Sequence, residues 1–151
     1  MNALTNIPLL PDAEKLQRFC AALFKHANPE GIVSLRAFLE NAKDEKALFI
    51  EPISIGNPQF LEVVAERAKQ AATWEVPAVF CPPVTTFKTT KNAKAENLLE
   101  GVALVVECDQ SPATALFLLR ELLGDPTMIV ESGGVWMNPE TGEVEQKLHI
   151  H

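Results

Sequence analysis

Two acidic residues one position apart, Glu107 and Asp109, end an otherwise apolar stretch that reads LVVECD from Leu104. Alternate residues of a β-strand point to the same side, so we expect both carboxylates on one face and Cys108 on the other. Two ionised carboxylates at that spacing repel each other, and burial would raise the cost further. A divalent cation removes the conflict, since hard oxygen ligands suit Mg²⁺ or Mn²⁺ together with substrate phosphates. The alternative is that the strand reaches solvent here, with Asp109 favoured by the dipole of a following helix.

A second group of residues that could bind a ligand or a metal ion lies near the end of the sequence. Ser132 is followed by Gly133 and Gly134, which allow a sharp turn or a close approach of the backbone. His149 and His151 alternate with apolar residues in KLHIH, so both imidazoles are expected on one side of a strand. They could ligate zinc together, but no third Cys or His stands near enough in the sequence to support such a site.

The elements that must position these residues interleave helices and strands. Helical apolar spacing predicts three helices: PDAEKLQRFCAALFKHA, capped by Asp12; NPQFLEVVAERAKQAATW, capped by Asn57; and SPATALFLLRELLG, capped by Ser111 and ended by Gly124. Strands are predicted for IVSLRAFLE, KALFIEPISI, VPAVFCPP, VALVVECD and PTMIVESGG. VWMNPETGEVEQKLHIH is expected to form a hairpin, with turn chemistry in NPETGE and strand-like alternation in KLHIH. The polar stretch VTTFKTTKNAKAENLLEG is expected to be a loop with one late helical turn. The pattern predicts an α/β or α+β fold.

Length and composition limit the class of protein. The 151 residues suffice for one domain with a real core, so a single domain over residues 1–151 is expected. No run approaches the ~18 apolar residues of a membrane span, and the start lacks a secretory pattern, so we expect a cytoplasmic protein without membrane contact. Cys20, Cys81 and Cys108 are scattered, and we expect buried apolar side chains rather than a disulfide framework.

The formal charge of −7 argues against a simple electrostatic nucleic-acid binder but allows an acidic site that holds metal ions. Lys88, Lys91 and Lys94 form the only basic cluster of the sequence. Two interpretations stay open for it: a contact to a template strand or to phosphate, and a solvated loop.

The order of these features resembles the catalytic core of the archaeo-eukaryotic primase superfamily. More narrowly, it is similar to the primase-polymerase and plasmid RepB-type primase domains in replication proteins of plasmids, phages and integrated elements. In that family one strand ends in two acids one residue apart, and VVECD matches with Glu107 in place of the commoner Asp. A later strand carries a histidine, often after SGG, and KLHIH matches with His149, while His151 takes the place of the usual aromatic. The resemblance covers about residues 75 to 151.

The resemblance implies an α+β fold with a mixed sheet, flanking helices and an RRM-like primase catalytic core, present here as its incomplete N-terminal part. It implies nucleotidyl transfer directed by a single-stranded DNA template, with nucleoside triphosphates as substrates and a helicase as a further domain or a partner. Glu107 and Asp109 would hold Mg²⁺ or Mn²⁺, and His149 would join them as a catalytic residue. The nucleotide-binding residues that it implies are Ser132, Lys147, His149 and His151. For Lys147, a solvated hairpin position is the alternative.

The family's third motif, a further acid on a strand after the histidine, has no match before His151. We therefore expect a fragment that lacks one metal ligand and has little or no activity alone. Two other classes of function stay open. One is a non-catalytic domain that binds nucleotide or a replication partner. The other is a small metal-dependent nuclease or phosphatase, which would need more acids or histidines nearby than the sequence shows.

Overall fold

A computed structural model describes residues 10–39, 46–76, 78–81 and 83–151. The chain divides between Val102 and Ala103 into two compact units, which are described separately as unit 1 and unit 2. The α+β class is confirmed, because both units combine helices with strands. Every strand pairing in the described ranges is antiparallel, where a mixed sheet was expected. The single-domain organisation stays a prediction.

In its described part, unit 1 consists of two helices on a five-stranded sheet. Its elements are α1 (Ala13–Leu23), β1 (Ile32–Leu39), β2 (Phe49–Ser54), α2 (Phe60–Ala72), β3 (Ala78–Cys81), β4 (Thr85–Phe87), a 3₁₀ turn (Ala95–Asn97) and β5 (Leu98–Gly101). The strands follow the order β2-β1-β4-β5, and β3 also pairs with β1. The central strand is therefore β1, and its two faces decide what the unit buries and what it offers to solvent.

The core of unit 1 lies on one face of β1. Val33, Leu35 and Ala37 alternate along the strand and are all 0% exposed. The helices cover this face, and the rings of Phe24 and Phe60 meet edge to face with their centroids 5.5 Å apart. Their buried residues recur at helical spacing and include Cys20, Leu23, Phe60, Val64, Ala68 and Ala71.

Side chains close to the first turns of α1 and α2 play different parts. Asp12 caps α1 as expected, since its Oδ1 accepts a hydrogen bond from the backbone N–H of Lys15 at 3.1 Å. The prediction of Asn57 as the cap of α2 is wrong. The helix begins at Phe60 after the cap residue Gln59, and Asn57 Oδ1 accepts from the N–H of Gln59 at 2.8 Å in the preceding turn. The side chain of Asn57 therefore forms an Asx turn before the helix instead of the helix cap that the sequence pattern predicted.

The stretch from Val84 to Gly101, predicted as a loop, contains two short strands besides the expected helical turn. β4 and β5 pair with each other, and Phe87 of β4 also pairs with Ile32 of β1. Strands of three and four residues carry too little alternation to be detected in a sequence rich in Thr and Lys. Their partners, which lie far away in the chain, supply the reason why they form.

Unit 2 consists of one helix and a three-stranded sheet with the order β6-β8-β7. Its elements are β6 (Val106–Cys108), α3 (Pro112–Leu123), β7 (Ile129–Met137) and β8 (Val144–Ile150). The turn predicted for NPETGE is confirmed, and the N–H of Asn138 donates to the carbonyl of Glu143 at 2.8 Å. In the described part of the chain, no helix is long and apolar enough to cross a membrane.

Two local predictions in unit 2 are corrected by the structure. The SGG sequence does not make a sharp turn after a strand. It lies inside β7, where the register shifts between Glu131 and Val135, and Gly133 adopts a φ of +83° that favours glycine. Ser111 precedes α3 as expected but makes no side-chain cap bond. Its place is taken by Glu145, whose Oε2 accepts from the N–H of Ala113 at 2.8 Å.

Candidate functional site

The two sequence patterns that suggested chemistry meet on neighbouring strands of unit 2. β6 and β8 are antiparallel, and Glu107 stands directly opposite His149. Directly opposed residues of an antiparallel pair project to the same side, with Cβ atoms about 5 Å apart. The carboxylate and the imidazole, which are distant in the sequence, therefore belong to one face of one sheet. On the other side of His149, Val130 of β7 completes the row.

The next pair along this face joins Asp109 to Lys147. Lys147 Nζ lies 3.3 Å from Asp109 Oδ1, and both residues stand two positions from the Glu107–His149 pair. Alternation along β8 places Lys147 on the same side as His149, and the ion pair brings Asp109, which directly follows β6, to Lys147. We call the side that carries these two acids, one ammonium and one imidazole the site face.

Ser132 and Gly134 of β7 both contact Lys147. Ser132 Oγ donates a hydrogen bond to the carbonyl oxygen of Lys147 at 3.3 Å, so its hydroxyl is engaged with the backbone of β8. A Cβ added at Gly134 would lie 3.0 Å from Cδ of Lys147, which shows that the lysine stem passes over the glycine. The SGG sequence thus shapes the path of Lys147. A direct role of Ser132 in binding nucleotide stays a prediction.

The site face is more open to solvent than the sequence indicated. Glu107 and Asp109 are both exposed, and the side chain of Asp109 is 62% exposed. β6 lies at one edge of its sheet, so the acids do not stand on a buried strand. The premise that burial forces the two carboxylates to share a cation is therefore wrong. Cys108 does face the opposite, buried side as predicted.

His151 occupies a different environment from His149. Its backbone exchanges two hydrogen bonds with Met128, which extends the pairing of β7 and β8 by one rung. Its side chain is half-buried and lines a small cavity of about 170 Å³ among apolar residues of α3 and β6. Burial lowers the pKa of the His151 imidazole, and the nearby His149 lowers it further. A role for His151 in binding a triphosphate stays a prediction.

One residue of the site face was not identified from the sequence. Glu145 precedes Lys147 by two positions on β8, so alternation places it on the same side. The predicted hairpin included Glu145, but the alternation was followed only through KLHIH, while β8 begins at Val144. Extending the alternation by three residues would have found this third acid, although its carboxylate is engaged at the start of α3.

Glu107 and Asp109 are the residues of the site face that could hold a metal ion. Within the described ranges, no group of three or more His, Cys, Asp or Glu side chains is arranged to hold a metal ion. Two carboxylates on one face nevertheless fit Mg²⁺ or Mn²⁺, which take one or two carboxylates and complete their shell with waters and substrate phosphates. The arrangement suits an ion that arrives with a phosphorylated ligand, and it does not suit an ion held by protein side chains alone.

Comparisons with models of protein families, with curated proteins and with solved structures find no match to this chain.

Proposed function

We propose that this chain carries the catalytic face of a primase-polymerase that performs metal-dependent, template-directed nucleotidyl transfer in the replication of a plasmid, phage or integrated element. The observation that supports the proposal is the pairing of Glu107 with His149, followed on the same face by Asp109 and Lys147. Acids for a metal ion and cations for a triphosphate are the two groups that such a reaction needs side by side. The RRM-like core and the single-stranded DNA template belong to the proposal.

Each residue of the site face has a distinct task in this proposal. Glu107 and Asp109 would hold Mg²⁺ or Mn²⁺, which, when bound, lowers the pKa of an attacking hydroxyl and stabilises the departing pyrophosphate. His149 donates a hydrogen bond to a phosphate oxygen of the incoming nucleotide and orients it. When a metal ion binds Asp109 and replaces its ion pair with Lys147, the ammonium of Lys147 adds positive charge near the same phosphates.

The proposal is tested by titrating Mn²⁺, and then a nucleoside triphosphate, into the full chain. Binding is measured rather than activity, because two carboxylates supply only part of the ligand set that the family resemblance implies. We expect nucleotide to bind more tightly with Mn²⁺, and Glu107→Gln and Asp109→Asn each to weaken Mn²⁺ binding about tenfold or more. His149→Gln should weaken nucleotide binding and leave binding of Mn²⁺ alone unchanged.

The matched control is Glu121→Gln, which removes one exposed carboxylate from α3. It should bind Mn²⁺ and nucleotide like the unmodified chain. Mn²⁺ binding that survives in both Glu107→Gln and Asp109→Asn would contradict the proposed metal site. Nucleotide binding that is the same with and without Mn²⁺ would contradict the proposed reaction.

A second candidate is a non-catalytic domain that binds nucleotide or a replication partner without metal. The ion pair between Asp109 and Lys147 favours it, because one of the two acids already has a cation 3.3 Å away. Lys147→Gln separates the two candidates. If Asp109 is a metal ligand, removing the competing ammonium should strengthen binding of Mn²⁺ alone by about three- to tenfold at low salt. If Lys147 serves a metal-free site, the same change weakens nucleotide binding in the presence of a chelator and leaves Mn²⁺ binding unaffected.

A further inference from the structure

The second face of the unit 1 sheet carries a groove that none of the functions above uses. Ile32, Ser34 and Arg36 of β1 alternate with the core residues and so face away from the helices. Together with the loop that follows β4, they enclose a cavity of about 550 Å³. It is lined by Ile32, Ser34, Arg36, Ile50, Pro52, Phe87 and residues 89–94.

Three cationic side chains line the groove. Arg36, Lys91 and Lys94 line it, and no acidic side chain does. None of these three cations forms an ion pair with any residue of the described ranges. In a chain with a net charge of −7, three unneutralised cations around one cavity indicate an anionic ligand. Lys88, the third lysine of the cluster predicted from the sequence, does not line the cavity.

Hydrogen bonds orient the guanidinium of Arg36 and anchor the backbone of the loop that carries the two lysines. Arg36 Nε donates to Ser34 Oγ at 3.1 Å, which orients the guanidinium and leaves its terminal nitrogens without an acceptor among the described residues. Asn92 Oδ1 accepts from the N–H of Lys94 at 3.3 Å and from Asn97 Nδ2 at 2.7 Å. An oriented guanidinium and an anchored loop present donors with less entropy to lose on binding, which is the geometry that phosphate recognition uses.

Apolar residues lie beside the cations of the groove. Its floor contains Pro52 and the buried ring of Phe87, and the side chain of Ile50, which is 61% exposed, offers open apolar surface beside them. A second cavity of about 270 Å³ adjoins the first and shares Ser34, Arg36 and Phe87 with it. Arg36 therefore stands between two adjoining spaces, which suits successive nucleotides of a strand better than one free nucleotide.

We infer that this surface, defined by Arg36, Lys91, Lys94 and Phe87 and called the β1 groove, binds the backbone of single-stranded nucleic acid. The inference rests on the proposed function in that such a strand would be its template. Its residues belong to unit 1 and include none of the site face, so strand binding needs no divalent metal. Single-stranded binders combine a cationic groove with apolar surfaces for bases, and both are present in the β1 groove.

The test measures binding of a fluorescently labelled oligonucleotide of about 12 nucleotides to the full chain, in the presence of a chelator. We expect the triple variant Arg36→Gln/Lys91→Gln/Lys94→Gln to bind at least about tenfold more weakly. The dependence of log affinity on log salt concentration should become shallower by about 2, since each lost phosphate contact to a single strand contributes about 0.7. Lys91→Gln/Lys94→Gln changes exposed loop residues only and should give an intermediate loss if folding is unchanged.

The matched control is Arg18→Gln/Lys25→Gln/Lys69→Gln, which removes the same charge from exposed helix-side positions of unit 1. An equal loss of binding in this control would overturn the inference, because net charge rather than the groove would then govern binding. Tighter binding of a duplex or of a free nucleoside triphosphate would also overturn it. Oligonucleotide binding is measured without metal and Mn²⁺ binding without oligonucleotide, so failure of the metal site and failure of the β1 groove give different results.

Discussion

The two units of this chain bury their apolar residues to very different degrees. In unit 1, the inward residues of β1 are completely enclosed beneath α1 and α2. In unit 2, the only strand residues that are buried are Cys108 and Ile150. α3 is the most apolar of the three helices in sequence, yet Phe117, Leu118 and Leu122 on it are 61%, 59% and 78% exposed. Apolar content alone therefore does not identify the well-packed part of this protein.

The main source of folding free energy and the candidate catalytic residues lie in different units. The residues with candidate catalytic roles lie in unit 2, on a three-stranded sheet with a small core. Unit 1 has the larger enclosed core and offers a cationic groove on its outer face. Free energy of folding is expected to be concentrated in unit 1, because buried apolar area is its main source.

The largest effect is expected for Leu35→Ala in unit 1. Truncating a fully enclosed leucine removes its burial and leaves a cavity, which costs about 2–5 kcal/mol of unfolding free energy. Each unit contains one tryptophan, Trp74 in unit 1 and Trp136 in unit 2, so single-tryptophan variants report urea unfolding of each unit separately. Leu104→Ala, at a position that is 69% exposed, is the control and should change stability by less than about 0.5 kcal/mol. Equal losses in the two variants would remove the contrast between the units.

A smaller effect is expected when the two buried thiols are compared. Burial raises the pKa of Cys20 in unit 1 to about 11, and burial followed by the charge of Asp109 raises the pKa of Cys108 in unit 2. Neither thiol reacts readily while folded, so alkylation reports opening of the surrounding structure. We expect Cys108 to be alkylated about tenfold faster, because its core is smaller. Peptide mass spectrometry measures both rates in one sample, and faster labelling of Cys20 would contradict the assigned order of stability.

The smallest effect concerns pH and His151. The pKa of this imidazole is lowered in the folded protein, by burial first and then by His149, from its ordinary value of 6.5. The unfolded chain therefore binds a proton more readily, and stability that is fully present above pH 6.5 is lost as pH falls through the folded pKa. Unfolding followed through Trp136 between about pH 8 and pH 5 should show this loss, and His151→Gln should reduce it. His26→Gln in unit 1 is the control, and a pH dependence that His151→Gln leaves intact would show that another group is responsible.

Most regular elements could be predicted from the sequence because their signals are local. Asp12 lies before an amphipathic run, NPETGE separates two alternating stretches, and KLHIH alternates over its whole length. The same alternation made it possible to predict that Asp109 shares a side with Glu107. That His149 joins them was also expected, and the antiparallel pairing of β6 with β8 adds that it stands directly opposite Glu107.

The errors come from interactions between distant parts of the chain. β4 and β5 exist because of their partners in the sheet, and Glu145 replaces the side chain of Ser111 at the start of α3 from 32 residues away. The exposure of Glu107 follows from the order β6-β8-β7, which leaves β6 at the edge. The β1 groove depends on Arg36 meeting a loop more than fifty residues later, and no spacing in the sequence links them.

The position of β6 at the edge of its sheet has a consequence for every experiment on the two acids. Along its outer side, a three-residue strand leaves backbone N–H and carbonyl groups available to any extended segment, and proteins commonly place charges on such strands to prevent sheet-to-sheet association. Glu107 and Asp109 would repel a second copy of this acidic chain at that position. Neutralising them therefore removes a safeguard against aggregation as well as candidate metal ligands. Light scattering on Glu107→Gln and Asp109→Asn shows whether a variant has self-associated through β6 or has only lost a metal ligand.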